Sequence, residues 1–330
     1  MISFLPKTTS KRSLIRPFRF QSTIASANSA QPLNNLAQVY VLPINKPTAT
    51  SGDTTTTTEE QPELYIHFKY NEQLLNSSST IVRYENQFIT KAAKTWKNLA
   101  ESDKPINKKV VNFVTKLMET IPWAENSMLT FPSQSALLKQ VSTVVENTKD
   151  SKDHHNALTP VLKSIHDLEQ EADSKLASKV LQIPTYFPKS LVKNPNELQS
   201  QILAITEKYE AQFNKSMLIN TCLIPFTLPV ALVPLIPNVP GFYLAYRIYC
   251  NYKAMLGARH LGEMIKTGEL KFMESGVLDG IYQANVQHDD KILLNEKVIE
   301  DLINALDLES ARPSLIKTLH QETKKLSKEE

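Results

Sequence analysis

Glycine is scarce in this sequence: seven glycines occur in 330 residues, and none lies between residues 53 and 240. Loops that cradle phosphate groups depend on closely spaced glycines before a helix. The region 53–240 therefore has no such loop, and the six later glycines lack the spacing of the standard nucleotide-binding motifs. The GxSxG, HExxH and CxxC patterns are also absent. We expect a protein that is not an enzyme and that holds no cofactor.

Cysteine is nearly absent, with Cys222 and Cys250 as its only two occurrences. Two cysteines cannot build a disulfide framework or a cysteine-rich zinc site. Both lie in apolar sequence, where cysteine behaves as a small hydrophobic side chain. We predict that they are buried in a membrane, and we predict no metal site.

Acidic residues are missing from the first 52 positions, and Asp53 is the first in the chain. Six Lys and Arg residues and many Ser and Thr residues fill the same stretch. This composition is typical of a mitochondrial transit peptide, which we place, with a disordered lead, in residues 1–37. Without residues 1–52, 31 of the 37 basic residues remain against 34 acidic ones, a formal net charge of −3. The basic character of the whole chain therefore indicates import and not nucleic-acid binding.

Charge is absent from residues 216–246, a mainly apolar stretch. Twenty helical residues span roughly the 30 Å hydrocarbon core of a bilayer, so the stretch predicts contact with a membrane. Five prolines interrupt it, and each costs about 3 kcal/mol inside a helix. One straight span is therefore disfavoured. We predict a proline-broken apolar membrane hairpin over residues 196–266, with a break over 235–241 and a second helix from Phe242.

The second arm of this hairpin carries polar groups. Arg247 lies within it, and a centrally buried arginine costs about 2.5–3.5 kcal/mol on insertion. Pairing with lipid phosphate, pairing with an acidic partner and lining a wet path are all open for this side chain, and we favour anchoring at the interface beside a belt of aromatic residues. His260 and Glu263 stand three residues apart, a spacing that a structural role explains and that a proton relay or metal site also permits. The predicted ion-path or interface residues are Asn238, Arg247, Asn251, Arg259, His260 and Glu263.

Outside the hairpin the pattern is mostly helical. Two alternating runs, 38–44 and 63–70, predict a short β-ribbon. Apolar residues at helical spacing predict helices over 80–100, 107–120, 133–147 and 159–181, and, after the apolar stretch, over 253–266, 270–283, 295–308 and 314–327. Pro184, Pro188 and Pro195 delimit an irregular connector before the hairpin. The expected fold class is mostly α: a helical domain with a short N-terminal β-ribbon and the proline-broken hairpin. The predicted boundaries are 1–37 for the transit peptide, 38–195 for the N-terminal domain, 196–266 for the hairpin and 267–330 for the C-terminal helical region.

The sequence of the hairpin resembles a known family. Residues 237–243 (PNVPGFY), followed by Tyr246-Arg247, Asn251-Tyr252 and residues 257–261 (GARHL), resemble the mitochondrial K+–H+ exchange-related family. The resemblance covers roughly residues 38–280. It implies a protein of the mitochondrial inner membrane connected with potassium–proton exchange and matrix volume control, with a functional link to LETM1-type inner-membrane proteins.

Two classes of function follow from these expectations. The first is a subunit or regulator of a K+/H+ exchanger, which we favour over a lone carrier because no acidic residue lies between Glu210 and Glu263 and a single hairpin cannot enclose a pore. The second is a membrane-anchored assembly or tethering protein with no transport role. A lipid-modifying enzyme is disfavoured because no nucleophile or metal constellation is present. The expected partners are inner-membrane lipids, K+ and H+ as transported ions, and a LETM1-type protein or further copies of the chain.

Overall fold

A computed structural model describes residues 36–46, 62–76, 100–143, 159–172, 179–192, 194–231, 239–287 and 290–329, with scattered residues between 82 and 98. The strands of this part of the chain are β1 (Ala37–Pro43), β2 (Leu64–Tyr70), β3 (Lys139–Thr143), β4 (Thr159–Lys163), β5 (Lys179–Val180), β6 (Ile183–Phe187) and β7 (Leu270–Glu274). Its helices are α1 (Pro105–Glu119), α2 (Trp123–Met128), α3 (Ile165–Ala172), α4 (Pro195–Leu223), α5 (Leu228–Ala231), α6 (Val239–Lys266), α7 (Gly276–Asn285), α8 (Glu296–Leu306) and α9 (Arg312–Glu329). The predicted transit peptide falls almost wholly outside these residues.

The main sheet has four strands in the order β2-β1-β6-β7. Antiparallel pairing of β1 with β2, from Ala37 opposite Tyr70 to Pro43 opposite Leu64, confirms the predicted ribbon. The ribbon is not isolated, because β6 pairs in parallel with β1 and β7 pairs in parallel with β6. We predicted an irregular connector where β6 lies and a helix where β7 lies. Both expectations were wrong, because short strands with distant partners leave little local signal.

Helices cover both faces of this sheet, as the alternation of side chains along its strands requires. On one face, Val39, Val41 and Ile66 pack with residues of α4 and α6. On the other face, Tyr40 and Leu42 pack with residues of α7, α8 and α9. The result is a three-layer body in which the sheet is the central layer, and helices make up most of the described chain, as predicted.

The outer edge of β2 is covered by side chains from α2 and the turn after it. The Ser127 hydroxyl donates to the Ile66 carbonyl at 2.6 Å and accepts from the Ile66 N–H at 3.0 Å. The Thr130 hydroxyl accepts from the Phe68 N–H at 3.1 Å. An uncovered edge strand leaves its backbone groups unpaired and open to other chains. These contacts satisfy the edge within the molecule and fix α2 beside it.

A second sheet replaces helices that the sequence predicted. The order is β4-β3-β5, with β3 antiparallel to both neighbours. We predicted one helix over 133–147 and another over 159–181. The described part of the first is a 3₁₀ turn followed by β3, and of the second only Ile165–Ala172 is an α-helix. The first run contains three valines and a threonine, β-branched residues that favour strands once partners are available, and its apolar spacing was a poor guide over so short a length.

The predicted membrane hairpin corresponds to α4 and α6. Both helices exist, but α4 ends at Leu223, well before the predicted break over 235–241, and α6 begins at Val239, within that predicted break. Among the described residues, none of the helices combines the length and the apolar character that crossing a bilayer requires.

Candidate functional site

The helices α4 and α6 lie antiparallel against each other. Arg259 of α6 forms an ion pair with Glu210 of α4 at 2.7 Å, and Lys266 reaches Glu207 at 3.3 Å. Gly262 lies between these two positions, where an added Cβ would come within 3.2 Å of the Thr206 hydroxyl oxygen. Close packing at this glycine and ion pairs along the exposed side therefore hold the two helices in one register.

The lower part of this hairpin belongs to the protein core. Leu198 and Ile202 of α4, and Ala258 and Leu261 of α6, are at most 1% exposed. At Gly257 an added Cβ would lie 2.2 Å from the Met128 carbonyl oxygen, so α6 approaches the end of α2 at backbone distance. Helix α6 is thus packed between α4 and α2 along this part of the hairpin.

That far end, which we call the apolar tip, comprises the described residues from Ser216 to Ala231 and from Val239 to Tyr246. Twelve large hydrophobic side chains are strongly exposed in the described part of the chain, and half of them lie here. Their exposed fractions run from 43% to 78%. They are Leu218, Ile219, Leu223, Phe226, Leu228 and Phe242. An apolar patch of this density on a protein surface marks contact with a partner or a membrane.

Two threonine hydroxyls of the tip form hydrogen bonds within the tip. The Thr221 hydroxyl donates to the Met217 carbonyl at 2.8 Å, and the Thr227 hydroxyl donates to the Ile224 carbonyl at 2.8 Å. Pro225 and Pro229 have no N–H to satisfy, and Pro225 lies in the 3₁₀ turn that ends α4. The predicted break over 235–241 thus begins earlier, and residues 232–238, including Asn238, lie outside the described part of the chain. Internal pairing of hydroxyls is what an apolar surrounding demands.

Arg247 marks the level at which α6 leaves the tip. Its guanidinium donates two hydrogen bonds to the Glu125 carboxylate of α2, at 2.5 and 2.8 Å. The Arg247 side chain is 11% exposed and the Glu125 side chain 2%. Of the three uses left open for Arg247, pairing with an acidic residue is the one present here. A bidentate geometry compensates the removal of both charges from water.

Two neighbours of Arg247 along α6 are also buried. The Asn251 side chain donates to the Arg247 carbonyl at 2.7 Å. Burial raises the pKa of the Cys250 thiol to about 11, so this cysteine stays protonated and unreactive at neutral pH. Cys222, in contrast, is exposed in the apolar tip. The two cysteines, which the sequence treats alike, therefore differ in accessibility.

His260 lies in a polar cluster between α6 and β3. Its Nδ1 is 2.7 Å from the Pro132 carbonyl oxygen, an atom that can only accept, so Nδ1 carries the proton. Its Nε2 lies 3.4 Å from the Lys139 ammonium, which also pairs with the Glu269 carboxylate. Burial, followed by the charge of Lys139, lowers the pKa of His260 to about 4. The imidazole is therefore neutral at physiological pH and joins α6 to the second sheet.

The remaining predicted residues do not converge on this cluster. Arg259 points to the exposed side of the hairpin, towards Glu210. Glu263 has one carboxylate oxygen buried without a hydrogen-bond partner. From Arg247 to Glu263 the residues cover about 24 Å of helix at 1.5 Å per residue. The predicted set is thus a series of separate contacts along α6, and its role in ion movement stays a prediction.

Sequence reasoning missed Glu125, the partner of Arg247. It also missed the ion pair of Lys139 and Glu269, in which Lys139 contacts His260. The absence of acidic residues between Glu210 and Glu263 was the available signal, because it obliges a buried arginine to find a carboxylate elsewhere in the chain. Nothing local singles out Glu125 in the segment that supplies it. In the described part of the chain, no three His, Cys, Asp or Glu residues are grouped so as to hold a metal ion.

The protein is thus a three-layer α/β body with a helical hairpin, and the tip of this hairpin is apolar and exposed. The sequence profile of the mitochondrial K+-H+ exchange-related family matches residues 38–265. The match covers more than half of the chain, so the protein belongs to this family and is associated with mitochondria. The matched region begins at the second residue of β1 and ends one residue before the end of α6, so it includes almost the whole hairpin.

Two curated proteins are similar to this chain. The uncharacterized protein YDL183C of Saccharomyces cerevisiae is 30% identical over 341 aligned residues, which cover 98% of each chain. The uncharacterized protein C23H3.12c of Schizosaccharomyces pombe is 25% identical over 202 residues, which cover 60% of this chain and 70% of that protein. No solved structure matches the chain.

The pair of Arg247 and Glu125 gives a prediction about stability. Replacement Arg247→Leu leaves the Glu125 carboxylate buried without a partner and should lower the free energy of unfolding by about 3–5 kcal/mol. The matched control is Arg259→Leu in the same helix, whose ion pair is exposed and should cost about 1 kcal/mol or less. Urea denaturation of the three proteins measures both changes. Equal costs for the two replacements would contradict the assignment of a buried pair.

His260 gives a prediction about pH. Its pKa is about 4 in the folded protein and about 6.5 in the unfolded chain, so the unfolded state takes up the proton first. Stability should therefore fall as the pH drops from about 6.5 towards 4, by roughly 2 kcal/mol for this residue between pH 6.5 and 5.

The replacement His260→Gln should remove this share of the pH dependence, measured by urea denaturation at pH 7 and pH 5. His320→Gln, at an exposed position of α9, is the control and should leave the dependence unchanged. An identical acid response in His260→Gln and the unsubstituted protein would show that His260 is not buried in neutral form.

Proposed function

We propose that this protein acts at the mitochondrial inner membrane in K+–H+ exchange and the control of matrix cation content and volume. Its role is that of a subunit or regulator of an exchanger, and not that of an enzyme or a lone carrier. The observation that carries the proposal is the exposed apolar tip within the region matched by the family profile. The tip supplies a surface for the bilayer, and the family description supplies the process.

The arrangement of charges supports a subunit or regulator over a lone carrier. A carrier needs oxygen ligands and a protonatable group that become accessible from both sides of the membrane in turn. The buried charges described here, Arg247 with Glu125 and Lys139 with Glu269, are closed in ion pairs inside the body. An ion route would therefore need groups from other chains, either further copies of this protein or a LETM1-type inner-membrane partner.

A membrane-anchored assembly or tethering role without transport is the second candidate. The same buried ion pairs favour it, because they hold elements of the body together and leave none of their charges for an ion route. The α7–α9 layer also favours it, because this layer lies on the face of the sheet opposite the hairpin and is free of the apolar tip. In this alternative the tip holds the body at the membrane, and the body binds a partner. The two candidates differ in whether loss of the protein slows potassium-driven swelling of the matrix.

Light scattering of isolated mitochondria in potassium acetate separates the two. Mitochondria that lack the protein should swell slowly, and nigericin, which exchanges K+ for H+ by itself, should restore the rate. Re-expression of the unsubstituted protein should restore swelling, Phe226→Glu in the tip should not, and the control Val277→Glu, at a similarly exposed apolar position of α7, should restore it. Normal swelling without the protein would remove the exchange role and leave the tethering role.

A further inference from the structure

The chain before the apolar tip and the chain after it fold into one sheet. β6 precedes the tip and β7 follows it, and the two strands pair in parallel from Ile183 opposite Leu270 to Phe187 opposite Glu274. Each strand therefore lies on the same side of anything that the tip enters. A chain that crossed a bilayer once between β6 and β7 could not make this pairing.

Hydrogen bonds farther from the hairpin also join the part of the chain before the tip to the part after it. The Trp123 indole N–H, from the part of the chain before the tip, donates to the Glu322 carboxylate of α9 at 2.8 Å. The Trp123 backbone N–H donates to the Gln321 side-chain oxygen at 2.9 Å. The Tyr282 hydroxyl of α7 donates to the Pro43 carbonyl at 3.1 Å. The segments on either side of the tip thus form one body, with its own buried core.

The reach of the tip is set by the last charges on each helix. Lys215 is exposed on α4, and eight further residues lead from it to the end of α4 at Leu223. In α6, eight residues, Val239 to Tyr246, precede Arg247. Each charge-free length is therefore about 12 Å. The hydrocarbon core of a bilayer is about 30 Å thick, so one leaflet contributes about 15 Å. The charge-free arms match the depth of a single leaflet.

The chemistry of the tip fits lipid acyl chains as its occupant. Six large apolar side chains are exposed there, no charged residue occurs between Lys215 and Arg247, and the Thr221 and Thr227 hydroxyls bond to the tip's own backbone. A surface that bound a folded protein partner would be expected to offer some polar groups at its rim. The tip therefore offers mainly apolar surface, and both of its described threonine hydroxyls are already hydrogen-bonded.

We propose that the apolar tip inserts into one leaflet of the membrane, entering and leaving on the same face, with the whole three-layer body on that face. This inference rests on the membrane contact of the proposed function and specifies its partner and topology. Phe226 and Phe242, the most exposed side chains of the tip, lie among the acyl chains. Lys215 remains at the headgroups.

Fluorescence of a label on Cys222 tests the insertion depth in the full chain. Cys222 is exposed in the tip, whereas Cys250 is buried, so an NBD label attached under mild conditions reports on the tip; Cys250→Ala verifies the site of labelling. The protein is added to phosphatidylcholine–cardiolipin vesicles that carry a quencher on the acyl chains of the outer leaflet alone or of the inner leaflet alone. We expect a blue shift on binding, with strong quenching from the outer leaflet and little from the inner one.

Two pairs of variants make the result specific to the tip. Phe226→Glu and Phe242→Glu should each weaken vesicle binding by about tenfold or more, because a carboxylate opposes transfer into hydrocarbon. Val277→Glu and Met273→Glu, at exposed apolar positions outside the hairpin, should bind as the unsubstituted protein does. All four positions are exposed, so circular dichroism and melting temperature should be unchanged.

The outcomes separate this inference from the proposed function. Strong quenching from the inner leaflet, with binding intact, would overturn single-leaflet insertion and leave membrane contact standing. Absence of vesicle binding would overturn both. A soluble dimer that dissociates on Phe226→Glu and does not bind vesicles would show that a second copy of the chain, and not lipid, covers the tip.

Discussion

Parallel pairing between β6 and β7 is the contact on which the arrangement of this protein depends. The two strands are separated by the whole hairpin, so their pairing closes a long loop, a cost in chain entropy that grows only slowly with loop length. It is offset by burial of both faces of the sheet, against α4 and α6 on one side and α7–α9 on the other. With the strands joined, α4 and α6 must leave and return at the same place, and an antiparallel hairpin is the simplest solution.

Buried charge then fixes the base of that hairpin. The Arg247–Glu125 pair joins α6 to α2, and the Lys139–Glu269 pair with His260 joins the end of α6 to the second sheet. Each charge has a partner, so the cost of removing it from water is compensated, whereas loss of one partner would leave an expensive buried ion. The base of the hairpin is thus anchored to α2 and to the second sheet by specific contacts. The described residues of the tip carry no charge and so form no ion pair with the body, and six of their large apolar side chains are exposed.

The sequence predicted the local features of this fold well. The β1–β2 ribbon was visible in two alternating runs and α1 in its helical spacing, and the second arm of the hairpin was predicted from Phe242, three residues after the observed start of α6 at Val239. The apolar tip was visible as the absence of charge between Lys215 and Arg247. All of these depend on neighbouring residues, for which periodicity and propensity carry the information.

Features that depend on distant partners were missed. β6 and β7 are five residues each and become strands only through pairing across the hairpin, and β3 was interpreted as a helix because its apolar spacing fits both periods over a short run. Glu125 and Arg247 are more than one hundred positions apart, so nothing in either segment identifies the other. The expectation of a membrane hairpin over 196–266 failed to separate its core-packed base from its exposed tip, because apolar residues at helical spacing suit a core-facing side as well as a membrane-facing one, and tertiary packing decides between them.

One-sided insertion of the tip requires that the two parts of the chain that flank it lie on the same side of the membrane. Protease protection in intact mitochondria and in mitoplasts tests it, with one epitope tag placed in the threonine tract of residues 54–58 and another at the C-terminus. We expect the same protease sensitivity for the two tags: at each stage of membrane opening, both are digested or both are protected. Digestion of one tag while the other stays protected would contradict the union of β6 with β7 and the one-sided insertion that follows from it.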